Sequence, residues 1–181
     1  MKYNIVTPAS DLPVSVADMK THLRVTHSNH DNLIESYIKS AVQMIENRAS
    51  LCLMPQTWKL SLTDEEVVEK IEIYKYPVLG FVNITYYDTD NASQSLTNSQ
   101  DDYISFIDGR PSSLIFEDVP TTYEREDAMQ ITFLAGYDTI PEDLLLGVKM
   151  LVWRMYNHPD DPVNERFSFV DRIVRDYRAW Q

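Results

Sequence analysis

Apolar residues recur at two different intervals along this chain, and the change of interval divides it. Near the ends the interval is that of a helix. Leu33, Ile34, Tyr37, Ile38, Ala41, Val42 and Ile45 fall three and four residues apart. This lays one apolar stripe along a helix from about Asp31 to Arg48, roughly 27 Å long at about 1.5 Å per residue. Upstream, Ser15 followed by Asp18 forms a capping-box pattern, a hydroxyl for first-turn amides and a carboxylate near the positive helix end, and predicts a short helix over about Val16 to Leu23. Polar Thr26 to Asn29 separates the two. Downstream, Pro141 at a first helical position, with Glu142 and Asp143 in the first turn, opens a third helix that closes near Asn157, before Pro159. Its interior, Leu144, Leu145, Leu146, Val148, Met150, Leu151, Val152 and Trp153, is apolar on almost every side and predicts the central member of a bundle. The first and last thirds are therefore expected to pack together.

Between them the interval drops to two. Trp58, Leu60 and Leu62 alternate with polar residues, Ile71 and Ile73 do the same, and Val82, Ile84 and Tyr86 repeat the pattern before Asp88 to Asn91 supplies turn chemistry. Tyr103 to Ile107, the Asp108-Gly109 turn and Leu114 to Phe116 read as a hairpin, and Met129, Ile131 and Phe133 close the set ahead of Gly136. Five to seven short strands are expected. The fold class is then α+β: a small helical bundle formed by N- and C-terminal helices, with an inserted antiparallel β-sheet or barrel-like subdomain. The divisions fall at 1–57 for the N-terminal helices, 58–135 for the β insertion, 136–157 for the central helix and 158–181 for a C-terminal arm, all one composite domain.

Charge sharpens the division. Residues 58–135 hold 15 Asp and Glu against 5 Lys and Arg, a net of −10 within a chain total of −12. Residues 1–57 balance at 5 against 5, and 136–181 hold 8 acidic against 6 basic residues. An acidic β unit in a near-neutral helical frame is poorly suited to gripping DNA, because affinity for a polyanion comes from Lys and Arg displacing counterions. It suits a surface that should not stick to DNA. The apolar fraction, 44%, is ordinary for a globular protein, and 181 residues suffice for one sizeable core or a domain carrying an insertion. Met1 to Val6 offers one lysine but no apolar run of the kind a signal peptide requires, and Leu144 to Trp153 is too short for a bilayer. A soluble cytoplasmic protein without membrane contact is expected. The single cysteine, Cys52, excludes an internal disulfide and supports no cysteine-based zinc site; it reads as a small buried apolar residue.

Candidate chemistry is sparse. Four glycines, Gly80, Gly109, Gly136 and Gly147, cannot supply a G-x-G-x-x-G or Walker-type loop. His22, His27 and His30 cluster in sequence with Asp31, yet without an H-E-x-x-H they read better as loop and capping residues than as metal ligands. Asp88, Asp90 and Asn91 start like a calcium loop but lack its glycine and closing glutamate, so a hairpin turn explains them. Asp101-Asp102 and Glu65-Glu66 are adjacent carboxylates, which as a rule point apart and form a solvated acidic face rather than an acid–base pair. Neither a catalytic site, a metal nor a cofactor is expected.

The segment Leu12-Pro13-Val14-Ser15-Val16-Ala17-Asp18-Met19-Lys20-Thr21-His22-Leu23-Arg24-Val25 resembles the opening of the head-tail connector, or adaptor, proteins of long-tailed bacteriophages and gene transfer particles. Gln56-Thr57-Trp58, Tyr76-Pro77 before Val82-Asn83-Ile84-Thr85-Tyr86-Tyr87, and Ile131-Thr132-Phe133-Leu134-Ala135-Gly136-Tyr137 followed by Pro141-Glu142 resemble further landmarks in the family order, over about residues 12–157. Two departures stand out. Asn47-Arg48-Ala49-Ser50 occupies the place of a Thr-Gly-Arg-like turn, and the chain runs on far beyond Asn157. The resemblance implies a structural, non-enzymatic protein of the virion neck, made in the host cytoplasm, that assembles with itself as a ring of about twelve copies. Its partners would be the portal protein, the next neck or tail component, and double-stranded DNA passing through the channel without specific binding. With the β domains facing the lumen, their carboxylates would let the duplex pass without adhering.

The arm, 158–181, lies outside that match. Val170, Ile173, Val174, Tyr177 and Trp180 keep helical spacing on one face, Phe167 and Phe169 precede them, and Arg166, Arg172, Arg175 and Arg178 occupy other positions. Two readings stand side by side. One is a fourth bundle helix on its own subunit. The other is helix-in-groove docking on the portal or a neighbouring subunit through Arg166, Phe167, Phe169, Val170, Ile173, Val174, Tyr177 and Trp180, with Tyr177 and Trp180 as anchors. Alternative functions are another neck or tail-completion protein of the same particle and, further off, a small acidic carboxylate-dependent hydrolase.

Overall fold

A computed structural model describes residues 1–96, 102–159 and 168–178, with the backbone alone at 168 and 169. These residues divide into two compact units: Met1–Ala9 with Pro55–Tyr137, and Ser10–Met54 with the described residues from Asp138 onward. The architecture is α+β, as expected.

The second unit is helical. Helix α1 spans Val16–Leu23, where Ser15 Oγ accepts from the Asp18 N–H at 3.0 Å and donates to the Asp18 carboxylate at 2.7 Å. The capping box thus closes hydroxyl to carboxylate rather than carboxylate to backbone. Helix α2, Asp31–Ala49, buries Ile34, Ile38, Ala41, Ile45 and Ala49, the stripe its periodicity predicts. It stops at Ser50, which takes the left-handed conformation at φ 54° that glycine ordinarily fills at a helix end. Glu46 then accepts from the Leu53 N–H at 2.8 Å, and Leu51, Cys52 and Leu53 are fully buried. Helix α3, Glu142–Asn157, follows Pro141, which stands as the cap and not as the first helical residue. It packs on α1, on α2 and on α4 (Ser168–Asp176), so it is central to its unit. It is less apolar all round than expected, because Leu146 and Trp153 remain 42% and 45% exposed while Leu144, Val148, Leu151 and Val152 face inward.

The first unit holds two antiparallel sheets. In chain order the strands are β1 (Lys2–Thr7), β2 (Gln56–Leu62), β3 (Lys70–Ile73), β4 (Val78–Tyr87), β5 (Ser93–Leu96), β6 (Tyr103–Phe106), β7 (Ser112–Phe116) and β8 (Met129–Ala135). The sheet orders are β1-β2-β8-β4-β5 and β3-β7-β6. Register between β2 and β8 sets Trp58 against Phe133, Leu60 against Ile131 and Leu62 against Met129. Leu60, Leu62, Met129, Ile131, Phe133 and Ala135 are sealed from solvent, as period-two alternation requires. Val82 departs from it. The β4–β8 ladder shifts between Phe81 and Asn83, and this bulge leaves Val82 66% exposed while Ile84 stays buried.

Among the described residues there are eight strands, more than the five to seven expected. The additions, β1 and β5, are the two edges of the larger sheet. Tyr3 anchors β1: its ring meets Phe133 edge-on at 6.5 Å, its oxygen accepts from the Tyr74 N–H at 3.0 Å, and burial raises its phenol pKa. The Met1 amino group pairs with Glu66 at the 3-10 turn Asp64–Glu66 that leads to β3.

Candidate functional site

Helix α4 carries the described part of the expected partner-binding arm, and its apolar face is covered by its own unit. Val170 and Val174 are buried, α4 packs on α2 and α3, and the Tyr177 hydroxyl donates to the Asp143 carboxylate in the first turn of α3 at 2.8 and 2.9 Å. Ile173 lies beside Gly147 of α3, where an added Cβ would meet its Cδ1 at 4.0 Å, an ordinary contact. Val170, Ile173, Val174 and Tyr177 therefore come together as a packing face. Phe169 belongs to the helical backbone, whereas Arg166, Phe167 and Trp180 lie outside the described residues.

The opposite side of α4 is basic. Arg172, Arg175 and Arg178 line one open cleft with Arg48, from the last turn of α2, and with Asp171. Arg48 Nη1 sits 3.0 Å from the Asp171 carboxylate. Spacing along 172–178 already marks the three arm arginines as neighbours on a helix. Nothing local signals Arg48, which joins them only through tertiary packing.

The sheet unit carries the opposite charge, and part of it is internally used. Asp88 closes the β4–β5 turn: its carboxylate accepts from the Asp90 N–H at 3.0 Å, the Ala92 N–H at 2.9 Å and the Gln94 amide at 2.7 Å. The calcium-like start is thus a hairpin turn, and these bonds, Gln94 first, hold the Asp88 carboxyl below the usual range. Asp127 is lowered chiefly by Arg125, 2.6 Å away, whose guanidinium also covers the Tyr87 ring at 3.6 Å. Glu66 is lowered first by the chain's amino group and then by the Thr63 N–H, and Glu72 by Lys70 and the Tyr74 hydroxyl. The side chains of exposed Glu65, Glu69, Glu117 and Asp118 make no hydrogen bond or ion pair among the described residues.

His27 and His30 make structural contacts. His30 precedes α2 with its Nδ1 2.7 Å from the Tyr156 hydroxyl and its ring edge-on to His27, while Asp31 pairs with Lys20 at 2.7 Å. Among the described residues no group of three or more His, Cys, Asp or Glu could hold a metal ion, and no helix is long and apolar enough to cross a membrane. What the arrangement offers is two surfaces of opposite sign on one subunit.

No curated protein sequence matches the chain. Among solved structures, it is similar over 100% of its length to 97% of a chain in the neck of an empty gene transfer agent particle computed with C6 symmetry, with a TM-score of 0.84 and 20% identity. A chain in the virion of a native gene transfer agent particle gives 0.82 at 19% identity, and one in the neck of the native particle computed with C12 symmetry gives 0.80 at 20%, with the same coverage. At such identities the likeness is one of fold. The sequence is matched more specifically: the model of the phage gp6-like head-tail connector proteins covers residues 13–114, more than half of the chain. The chain belongs to this family of structural head-tail connectors.

Proposed function

We propose that this connector closes into a ring at the portal vertex of a filled capsid, extends the DNA channel and receives the next neck or tail component. The observation that carries this reading is the whole-chain likeness to neck subunits, one of them in a neck computed with C12 symmetry. Twelve copies are accordingly the expected number. A cyclic head-to-tail interface repeats modest contacts until the ring closes, so shape and valence supply the function and no bond is made or broken.

The channel wall is assigned to the sheet unit. A net of −10 over residues 58–135 repels the phosphates of a passing duplex, which keeps DNA from adhering during packaging and ejection. Portal contact is assigned to the ends of the arm, Arg166, Phe167, Phe169 and Trp180, because Val170 and Val174 are already covered by the protein's own helices. Particles made without the gene test the reading. Expected are capsids that lack tails and lose their genome; capsids still joined to tails with the genome retained would contradict it.

A further inference from the structure

Two charged groups on this subunit are largely unpaired among the described residues. Arg172, Arg175 and Arg178 are exposed along one cleft. Among the described residues Arg172 and Arg178 form no ion pair, and Arg175 reaches Asp176 only at 3.8 Å. On the sheet unit, Glu65, Glu69, Glu117 and Asp118 are exposed, and their side chains bond to nothing described. Glu69, Glu117 and Asp118 are neighbours, because the Phe116 N–H donates to the Glu69 carbonyl at 2.9 Å, and Glu65 lies four residues before Glu69 in the chain, on the 3-10 turn. Of the other carboxylates of this region, Glu66 is engaged by the amino terminus and Glu72 by Lys70 and Tyr74.

We propose that these groups meet between copies: Arg172, Arg175 and Arg178 of one subunit dock on Glu65, Glu69, Glu117 and Asp118 of the next, forming the directional contact of the ring. The proposal rests on the ring reading above and names its interface. A head-to-tail ring needs two different, complementary patches on every copy. Opposite charge provides them, steers their encounter, and penalises the like-to-like pairing that would give closed dimers. Duplex DNA is the weaker occupant, because the whole chain carries −12 and Asp171 sits within the arginine cleft. A second copy is the one partner whose matching carboxylates this sequence itself supplies. Asp90, Glu124 and Glu126, also exposed, remain available to a channel wall.

The test reverses each patch and then both. Full-length chain is bound to its purified portal at about 0.15 M salt, where exposed charges act over about 8 Å, and copies per portal are counted by electron microscopy and native mass. Arg172→Glu with Arg175→Glu and Arg178→Glu, and separately Glu65→Lys with Glu69→Lys, Glu117→Lys and Asp118→Lys, are each expected to lower ring formation at least about tenfold. A chain carrying both sets should regain it to within about threefold, with circular dichroism confirming that each variant is folded. Single substitutions Arg178→Gln and Glu69→Gln, which leave the fold least disturbed, should each give about a threefold loss. Rings of wild-type occupancy in the reversed variants, no rescue in the combined one, or loss of duplex DNA binding with assembly intact would overturn the interface while leaving the ring. If the wild-type chain itself forms no ring on the portal, the functional reading falls and this interface with it.

Discussion

In the helical unit, beside local pairs such as Lys39 with Glu35, several polar contacts reach between elements: Lys20 of α1 to Asp31 of α2, Arg48 of α2 to Asp171 of α4, Tyr177 beyond α4 to Asp143 of α3. In the sheet unit they mostly close within a few residues, as in Lys70 with Glu72, Arg125 with Asp127, and Asp88 with its own turn. The reason is geometric. Helices satisfy their backbone internally and meet only through side chains, so side-chain bonds must fix how they pack. Strands meet through the backbone ladder itself, which frees their side-chain charges for other use. A unit built that second way can display a strongly acidic surface without loosening its fold, as a channel wall or a docking face requires.

Core truncation should separate the units most clearly. Phe133→Ala in β8 and Leu151→Ala in α3 each remove a fully buried side chain, at about 3–5 kcal/mol and about 2–5 kcal/mol. Denaturant unfolding with amide exchange should show the protection lost first in the unit that carries the substitution; equal loss in both units would erase the distinction. Next in size are the positions with positive φ. In the sheet unit Gly136 sits at φ 138° with its N–H donating to the Pro77 carbonyl, so Gly136→Ala should cost about 1–2 kcal/mol. In the helical unit Ser50 occupies such a position without being glycine, and Ser50→Gly should raise thermal stability by about 0.5–1 kcal/mol.

Smaller differences bear on the polar contacts. Tyr177→Phe removes a bond between elements and should cost about 1 kcal/mol, whereas Lys70→Ala, breaking an exposed local pair, should change stability by less than about 0.5 kcal/mol in the same melts. Acidification gives the shallowest effect. Glu66, Glu72, Asp88 and Asp127 have folded pKa values lowered below their unfolded ones, so their contribution is present above about pH 4 and is lost as pH falls through the folded values. Protection factors across β3 to β5, corrected for the intrinsic exchange rate at each pH, should fall between about pH 4 and pH 2; a rise there would reverse the sign.

Where the signals were local, the sequence was legible. The boundaries of α1, α2 and α3 follow from periodicity and from Ser15, Pro141 and Pro159, and β2 and β8 from strict alternation. β1 and β5 escaped because edge strands bury little; Lys2–Thr7 and Ser93–Leu96 become strands only through pairing with β2 and β4. Val82 misled because a bulge is set by two strands together. At the arm, amphipathicity was evident in the residues, but which face would be covered depended on α2 and α3. The arginine cleft needed Arg48 brought from far along the chain.

A reconstruction of the isolated neck by electron cryomicroscopy tests the central claim most directly. Expected are twelve copies of this chain in a closed collar beneath the portal, with sheet-unit carboxylates on the channel wall. A collar without this chain, or a channel lined by the arginines of α4, would contradict it.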